Sequence, residues 1–349
     1  VITLTTPPAL LYTQETDKTI KCNTCARRCT IKNGAMGFCA VRKNQDGTLY
    51  PLNYGKTVSF GIDPIGKKPL SHFNPGAKVA SIAAAGCNFR CQFCDNWTIS
   101  QEKALHENPL TPKEIINLAK EANCQGISYT YTEPTVFLEY AYDTAKLAHE
   151  AGLFNTFVTN GYLTPEAIRL ITPYTDAITV DFKAAGDPGF YKNLASVPDV
   201  KPIYEALKEF KLANVHIEIT NLVIPKEGNS MSQIANLAKW IKTYIGPNTP
   251  FHLLRFHPDY KMTHLPPTSI EDMEHAYLVA QSEGLRFVYL GNMSGHVAEN
   301  TYCPACREPI IRRDGFEITQ WNLTDDMHCI YCENSLPIKG KYYPPDNFL

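Results

Sequence analysis

The 349-residue chain has no excess of charge of either sign: 33 Lys and Arg stand against 35 Asp and Glu, a net charge of −2. That removes the general electrostatic case for nucleic acid or an anionic membrane as partner. Long apolar runs are also missing. The longest, residues 79–85 and 251–254, fall far short of the ~20 residues that a spanning helix needs. The opening Val1-Ile-Thr-Leu-Thr-Thr-Pro-Pro has neither a basic start nor an apolar stretch, so no secretory leader is expected there. Core formers are not scarce: 44% hydrophobic against 19% charged residues excludes wholesale disorder. The unusual abundance is cysteine, 12 in all.

The cysteines are clustered. Cys22, Cys25, Cys29 and Cys39 form one set, Cys87, Cys91 and Cys94 a second, and Cys303, Cys306, Cys329 and Cys332 a third, with Cys124 alone. A disulfide scaffold belongs to small secreted chains that cannot build a core, and this chain can build one. Pairs spaced C-x2-C let two thiolates face one metal from a tight turn, so the chain reads as cytoplasmic and metal-bearing.

Between residues 79 and 292 the pattern alternates strand and helix. Strands are expected over 79–85, 126–131, 154–159, 177–182, 215–223, 251–256 and 286–290, mostly short apolar or β-branched runs suited to buried parallel strands. Helices are expected over 112–123, 134–151, 165–171, 202–212, 232–244 and 270–282. Thr111-Pro-Lys-Glu114 is a capping box with proline at the first helical position, Gly152 is a stop, and Ser269 caps the last helix. Repeated βα units predict an α/β fold with a parallel sheet, in a TIM-like barrel that is closed or partial. Residues 1–60 and 297–349, rich in Cys, Pro and Gly, read as small metal-stapled modules on either side of a barrel over 61–296.

The central set, Cys87-Asn-Phe-Arg-Cys91-Gln-Phe-Cys94, directly follows the first expected barrel strand. Three thiolates with no fourth cysteine nearby leave one iron of a 4Fe–4S cluster open, whereas a structural zinc or electron-transfer cluster takes four protein ligands. The alternative is a zinc site completed by Cys124 or a histidine; Cys124 itself reads as an inert buried thiol. On these residues the chain resembles the radical S-adenosylmethionine (SAM) enzymes. The resemblance implies that the open iron chelates the amino and carboxylate groups of SAM. Reductive cleavage then gives methionine and a 5′-deoxyadenosyl radical that abstracts hydrogen from substrate. It also implies a reductant such as flavodoxin or ferredoxin. Phe93 matches the aromatic that flanks adenine in that family; its plain reading is a core phenylalanine.

A barrel's active face is where its strands end, and here they end in polar residues: Thr132-Glu133, Thr159-Asn160, Asp181-Phe-Lys183, Thr220-Asn221, Arg255-Phe-His257 and Gly291-Asn292. By resemblance, Tyr131-Thr-Glu-Pro134 stands where the family has a Gly-Gly-Glu-Pro segment pairing with the SAM amino group, though the glycines are absent. Thr132 would offer its carbonyl, and Glu133 reads either as a SAM contact or as a carboxylate at a helix start. Asp181 and Lys183 resemble the Asp-x-Lys of pyruvate formate-lyase activating enzymes. Alternate residues on a strand share a face, and a zwitterion needs one charge of each sign; an internal ion pair is the other reading. Asn160 (SAM or a turn before Gly161), Thr220 and His257 (adenosine or structure) complete the candidates for cofactor contact.

The segments Thr57-Val-Ser-Phe-Gly-Ile-Asp-Pro-Ile-Gly-Lys-Lys-Pro-Leu-Ser-His-Phe-Asn-Pro-Gly76, Gly37-Phe-Cys-Ala-Val-Arg-Lys-Asn44 and Asp95-Asn-Trp-Thr-Ile-Ser-Gln101, with the terminal Cys pairs, resemble the AmmeMemoRadiSam radical SAM family. That family is similar to glycyl-radical activating enzymes, and the resemblance implies a functional link to Memo-like proteins. Lys67-Lys68 reads as a solvated pair or a contact for an anionic substrate. Cys303-x2-Cys306 and Cys329-x2-Cys332 suit structural zinc, with iron as alternative. Cys22, Cys25, Cys29 and Cys39 suit either zinc or an auxiliary Fe–S cluster.

Three functions compete: a radical SAM oxidoreductase acting on a protein or small molecule, its special case of glycyl-radical enzyme activase, and a non-catalytic zinc-ribbon module that binds RNA or protein. The last needs a basic face, and Arg307, Arg312 and Arg313 with Asp325-Asp326 nearby make only a small patch.

Overall fold

A computed structural model describes residues 6–101 and 108–345; the first five residues of the proposed N-terminal module and the last four of the C-terminal one lie outside them. Two compact units are formed. One comprises Val1–Asp63, Lys78–Ile178 and Leu194–Val215, the other Pro64–Ala77, Thr179–Asn193 and His216–Leu349.

In the first unit the strands are ordered Phe154–Thr159, Gly126–Tyr129, Lys78–Ala84, Lys56–Pro64, Asn108–Pro109. The first three run parallel, with Val79 and Phe154 both opposite Gly126. Lys78–Ala84 is buried along its length after Lys78, because both sheet faces are covered, so its apolar residues form a run and do not alternate. Helix Pro112–Glu121 starts at the expected capping box, with both reciprocal bonds between Thr111 and Glu114 in place. Helix 134–151 is corrected: Pro134–Phe137 is a 3₁₀ turn and the α-helix is Leu138–Glu150. Proline at the start and the Glu133 carboxylate on the Thr135 N–H tighten that first turn.

The N-terminal stretch, also in this unit, builds a three-stranded antiparallel sheet from Tyr12–Gln14, Ile20–Cys22 and Thr30–Ile31 over a small core of Ala9, Ile20, Ile31 and Leu49. A hairpin, Arg42–Gln45 with Thr48–Pro51, turns at Asp46-Gly47, both at positive φ (53° and 86°). Arg42, buried, pairs with Glu139 of helix Leu138–Glu150 at 2.5 and 3.1 Å, tying the hairpin to the parallel strands' helical cover.

In the second unit the order is Val288–Gly291, Phe251–Arg255, His216–Val223, Ala177–Lys183, the first three parallel. Helix Ile270–Ser282 has its expected Ser269 cap. The expected helix 232–244 is Met231–Trp240 followed by a π turn, Ile241–Ile245, and a helix not expected from the sequence, Pro188–Leu194, follows Ala177–Lys183. The C-terminal residues form an antiparallel sheet of Thr301–Tyr302, Pro309–Asp314 and Glu317–Trp321. Among the described residues no closed barrel is formed, which is the partial form of the expected architecture. Lys68 corrects the solvated-pair reading: Lys67 is exposed, but Lys68 is buried at 1% exposure.

Strand His216–Val223 presents the fully buried Glu218. Its carboxylate accepts from His216 Nε2 (3.0 Å), His252 Nε2 (2.7 Å), Ser71 N (2.9 Å) and His72 N (2.7 Å). Burial pushes this carboxyl up, but the histidine hydrogen bonds outweigh it and hold it well below the usual carboxylate range. Burial pushes the His72 imidazole down to about 3. Both shifts are downward from the unfolded chain, so each contribution is complete above the ordinary pKa and is lost on acidification. For His72 the loss runs from about 6.5 to about 3. We expect Glu218→Ala to lower the unfolding free energy by about 3–5 kcal/mol in urea titrations at pH 7, since four donors lose one buried acceptor. A loss below ~1 kcal/mol would show that the network does not stabilise the unit.

Candidate radical SAM and metal sites

The loop Cys87–Cys94 follows the carboxyl end of Lys78–Ala84. Gly86, immediately before it, has φ +101°, and a Cβ there would stand 2.8 and 2.9 Å from the Val41 methyls and 3.1 Å from the Cys39 carbonyl. Only glycine gives both this backbone and this close approach of the N-terminal segment. The loop is then fastened from several sides. Phe89 N donates to Cys87 Sγ (3.3 Å), and Arg90 Nη1 to the Cys87 and Phe89 carbonyls (2.8 Å each). Gln101 Nε2 donates to the Cys91 carbonyl (2.9 Å), and Cys94 Sγ lies 3.4 Å from Ser100 Oγ. Arg27 Nε donates to the Asn88 carbonyl at 2.5 Å, with its guanidinium 3.5 Å from the Phe38 ring centre. Burial pushes the Cys87 thiol well above its ordinary pKa, with the Glu133 charge adding to it, so a cation bound there would favour the thiolate.

One candidate from the neighbouring strand ends, Asn160, meets this loop, and a second, Glu133, holds Asn160 there. Asn160 Nδ2 donates to Asn88 Oδ1 (2.7 Å) and lies 3.9 Å from Cys87 Sγ, while its Oδ1 accepts from Tyr162 N (3.0 Å), so it is both a turn residue and a loop contact. Glu133 is buried, and its oxygens accept from Thr135 N (3.0 Å), Thr135 Oγ1 (2.5 Å), Thr159 Oγ1 (2.8 Å) and Asn160 N (2.8 Å). Burial pushes its carboxyl up against the pull of these bonds. Glu133 therefore positions Asn160 and the strand end. Thr132 Oγ1 donates to the Ala84 carbonyl (2.7 Å), and Phe93 is buried at 3% exposure.

Cys124 is buried just before strand Gly126–Tyr129. Since Gly126 pairs with Val79, Cys124 sits at the amino ends of these strands and Cys87 beyond the carboxyl end of Lys78–Ala84. At ~3.3 Å per residue the two thiols are ~20 Å or more apart.

In the second unit, Lys183 Nζ is 2.9 Å from Asp181 Oδ2, and Thr220 Oγ1 donates to Asp181 Oδ1. Asp181 and Lys183 retain side-chain exposures of 29% and 17%, so the pair is only partly buried. Asn221 is buried and accepts from Ala185 N (2.6 Å); His257 is exposed just past strand Phe251–Arg255. The same unit carries Cys303, Cys306, Cys329 and Cys332, whose sulfurs all lie within 4.8 Å of one another. Cys303–Cys332 is 3.6 Å and Cys306–Cys329 is 3.7 Å. A tetrahedral ion at ~2.3 Å from each sulfur requires edges of ~3.8 Å, so these four fit one mononuclear metal.

Against proteins of known sequence, the chain is 43% identical over 333 residues to the Uncharacterized protein MJ0808 of Methanocaldococcus jannaschii, covering 95% of this chain and 98% of that one. Residues 81–241 match the Radical SAM superfamily model. This chain belongs to one family with that archaeal protein and carries a radical SAM domain. The radical SAM domain is homologous to the Pyruvate formate-lyase-activating enzyme of Clostridium pasteurianum, 26% identical over 203 residues, 54% of this chain and 83% of that one. Among solved structures, a radical SAM methyltransferase from Sphaerobacter thermophilus shares the fold, with TM-score 0.50 and 16% identity over 64% of this chain and 70% of that one. The radical SAM match starts inside strand Lys78–Ala84 and takes in the whole Cys87–Cys94 loop.

Sequence reasoning did not single out Gly86, Asn88, Arg27 or Arg42. Gly86 had a legible signal, a glycine directly before the first loop cysteine; the other three are polar residues whose partners come from distant segments. For Gly86→Ala we expect a loss of about 1–3 kcal/mol in unfolding free energy together with reduced iron loading, since φ stays positive and Val41 must move. Unchanged stability and loading would show that the approach of the N-terminal segment is not needed.

Proposed function

We propose that this protein is a radical SAM oxidoreductase, with a 4Fe–4S cluster on Cys87, Cys91 and Cys94. The observation that carries this reading is a trio of cysteines on a loop at the strands' carboxyl ends while the lone Cys124 lies at their amino ends. The donor set fits the group. Three soft sulfurs suit iron. Among the described residues no acid, histidine or further cysteine joins two of them within the 4.8 Å that encloses the C-terminal set. Cys87, Cys91 and Cys94 would hold this group, and the chemistry it would supply is one-electron reductive cleavage of SAM, followed by hydrogen abstraction from substrate.

The chain's own residues have separable tasks. Phe89 N–H and Asn160 Nδ2 lie against Cys87 Sγ and offset its negative charge. Glu133 holds Asn160 through its backbone N–H. Asp181 and Lys183, one charge of each sign and held together with Thr220, are assigned to the ammonium and carboxylate of the SAM zwitterion on the resemblance of Asp-x-Lys. The Thr132 carbonyl, Phe93 and His257 are assigned to the SAM amino group, adenine and adenosine on the resemblance. The four C-terminal sulfurs hold structural zinc, supported by their 3.6 and 3.7 Å separations.

The segments from Thr57 to Gly76 and from Gly37 to Asn44 favour the AmmeMemoRadiSam branch, with its link to Memo-like proteins, and the reductant is a flavodoxin or ferredoxin. A protein or a small molecule is the substrate. Homology to a pyruvate formate-lyase-activating enzyme favours a second reading, that the substrate is a glycyl-radical enzyme. No helix among the described residues is long and apolar enough to cross a membrane, and we place the enzyme in the reducing cytoplasm that such thiols require.

The test is anaerobic reconstitution with iron and sulfide, followed by SAM and a strong reductant. The wild-type protein is expected to form 5′-deoxyadenosine and Cys91→Ala none; a fully loaded wild-type protein forming none would overturn the reading. Asp181→Asn is expected to raise the SAM concentration for half-maximal cleavage at least ~10-fold, as a charge-assisted contact of about 1.5–3 kcal/mol is lost.

A further inference from the structure

The remaining cysteines, Cys22, Cys25, Cys29 and Cys39, line one cavity of the first unit, whose wall also includes Arg27, Arg42 and Asn88. Segments far apart in the chain meet there, since Asn88 belongs to the radical SAM loop. Gly37 packs close by: a Cβ on it would lie 3.2 Å from the Ile31 methyl and 3.9 Å from Cys29 Sγ.

The spacing of these sulfurs differs from that of the C-terminal set. Among the described residues, no three of the four lie mutually within the 4.8 Å that encloses Cys303, Cys306, Cys329 and Cys332. A single zinc ion holds its sulfurs ~3.8 Å apart. A four-iron cube, with the whole cube between them, holds its sulfurs ~6 Å apart. Cys87, Cys91 and Cys94 likewise fall outside the 4.8 Å grouping. Among the described residues, only the C-terminal cysteines are gathered within 4.8 Å of one another; the other two sets are more widely spread.

A second observation concerns donors. Asn88 Nδ2 and Arg42 Nε are buried without a hydrogen-bond partner, on residues only 0% and 2% exposed, and both residues line this cavity. A buried N–H left unpaired costs about 1–3 kcal/mol, so two of them beside one cavity call for an acceptor inside it. The inorganic sulfides and thiolates of an iron–sulfur cube are such acceptors. The sulfurs themselves are already turned by the backbone: Arg27 N–H bonds Cys25 and Val41 N–H bonds Cys39, each from two residues further on, as Phe89 N–H bonds Cys87.

We infer that Cys22, Cys25, Cys29 and Cys39 hold a second 4Fe–4S cluster, not zinc, with Asn88 Nδ2 and Arg42 Nε donating to its sulfurs. With a cysteine on each iron this cluster has no open corner for SAM. The assignment goes beyond the proposed SAM cleavage and stands on its own sulfurs. Asn88 also places the two wide sets next to each other, because it follows Cys87 directly, accepts from Asn160 Nδ2 and lines the cavity of the second cluster.

The experiment is iron, sulfide and zinc analysis of the full chain reconstituted anaerobically, with EPR of the reduced protein before and after SAM. The wild-type protein is expected to hold about eight irons and eight sulfides, with about one zinc, per chain. Cys25→Ser with Cys29→Ser should lose half of the iron and keep the zinc and the SAM-sensitive EPR signal. Cys87→Ala with Cys91→Ala and Cys94→Ala should keep the other half, with a signal that SAM leaves unchanged. Asn88→Leu should shift the midpoint potential of that SAM-insensitive signal downward, because a donor to the reduced cluster is lost. About four irons with two zincs in the wild-type protein, or zinc lost in the Cys25/Cys29 variant, would overturn the assignment. If SAM alters no signal while the iron still divides in this way, SAM chemistry fails and the second cluster stands.

Discussion

A buried sulfur that must carry negative charge is tenable only beside a cation, and this constraint organises the chain. Burial pushes the Cys87, Cys25 and Cys39 thiols upward, so a bound cation favours their thiolate forms. Each set of cysteines is accordingly surrounded by structure that serves it. Gly86 lets Cys39 and Val41 come against the radical SAM loop, and Arg27 ties that loop to the N-terminal segment through the Asn88 carbonyl. The Arg42–Glu139 pair anchors the same segment to helix Leu138–Glu150.

Distance between sulfurs distinguishes the sites more sharply than residue type does. The C-terminal knuckles bring four sulfurs to the edges of a single small tetrahedron, 3.6 and 3.7 Å across. In the other two sets no three sulfurs lie mutually within 4.8 Å. The sulfur geometry therefore differs between sets although the x2 spacing recurs in all three, and on our reading that difference separates a structural ion from iron–sulfur chemistry.

Buried carboxylates do comparable work in the two units by different means. Glu133 is satisfied by hydroxyl and backbone donors at a strand end and thereby sets Asn160 against the loop. Glu218 is satisfied by two histidines and by the backbone of Ser71 and His72, holding the Pro64–Ala77 segment within its unit. Neither side chain is solvated, and both show a buried carboxyl held by several protein donors.

The strands and helices of the βα repeat were legible in the amino-acid order because their signals are local. Buried strands are apolar runs, and caps such as Thr111 and Ser269 act within one turn. The x3/x2 spacing of Cys87, Cys91 and Cys94 was legible for the same reason. The burial of Lys68 was not, since it depends on neighbours remote in the chain, whereas helix Pro188–Leu194 had a local signal that sequence reasoning missed, the Asp187 carboxylate accepting from Phe190 N (2.6 Å). The metal class of Cys22, Cys25, Cys29 and Cys39 was open in the sequence, where zinc and a cluster accept the same four residues. Only folding decides how far apart those sulfurs stand and which buried donors face them, because separation and burial are set by segments distant in sequence.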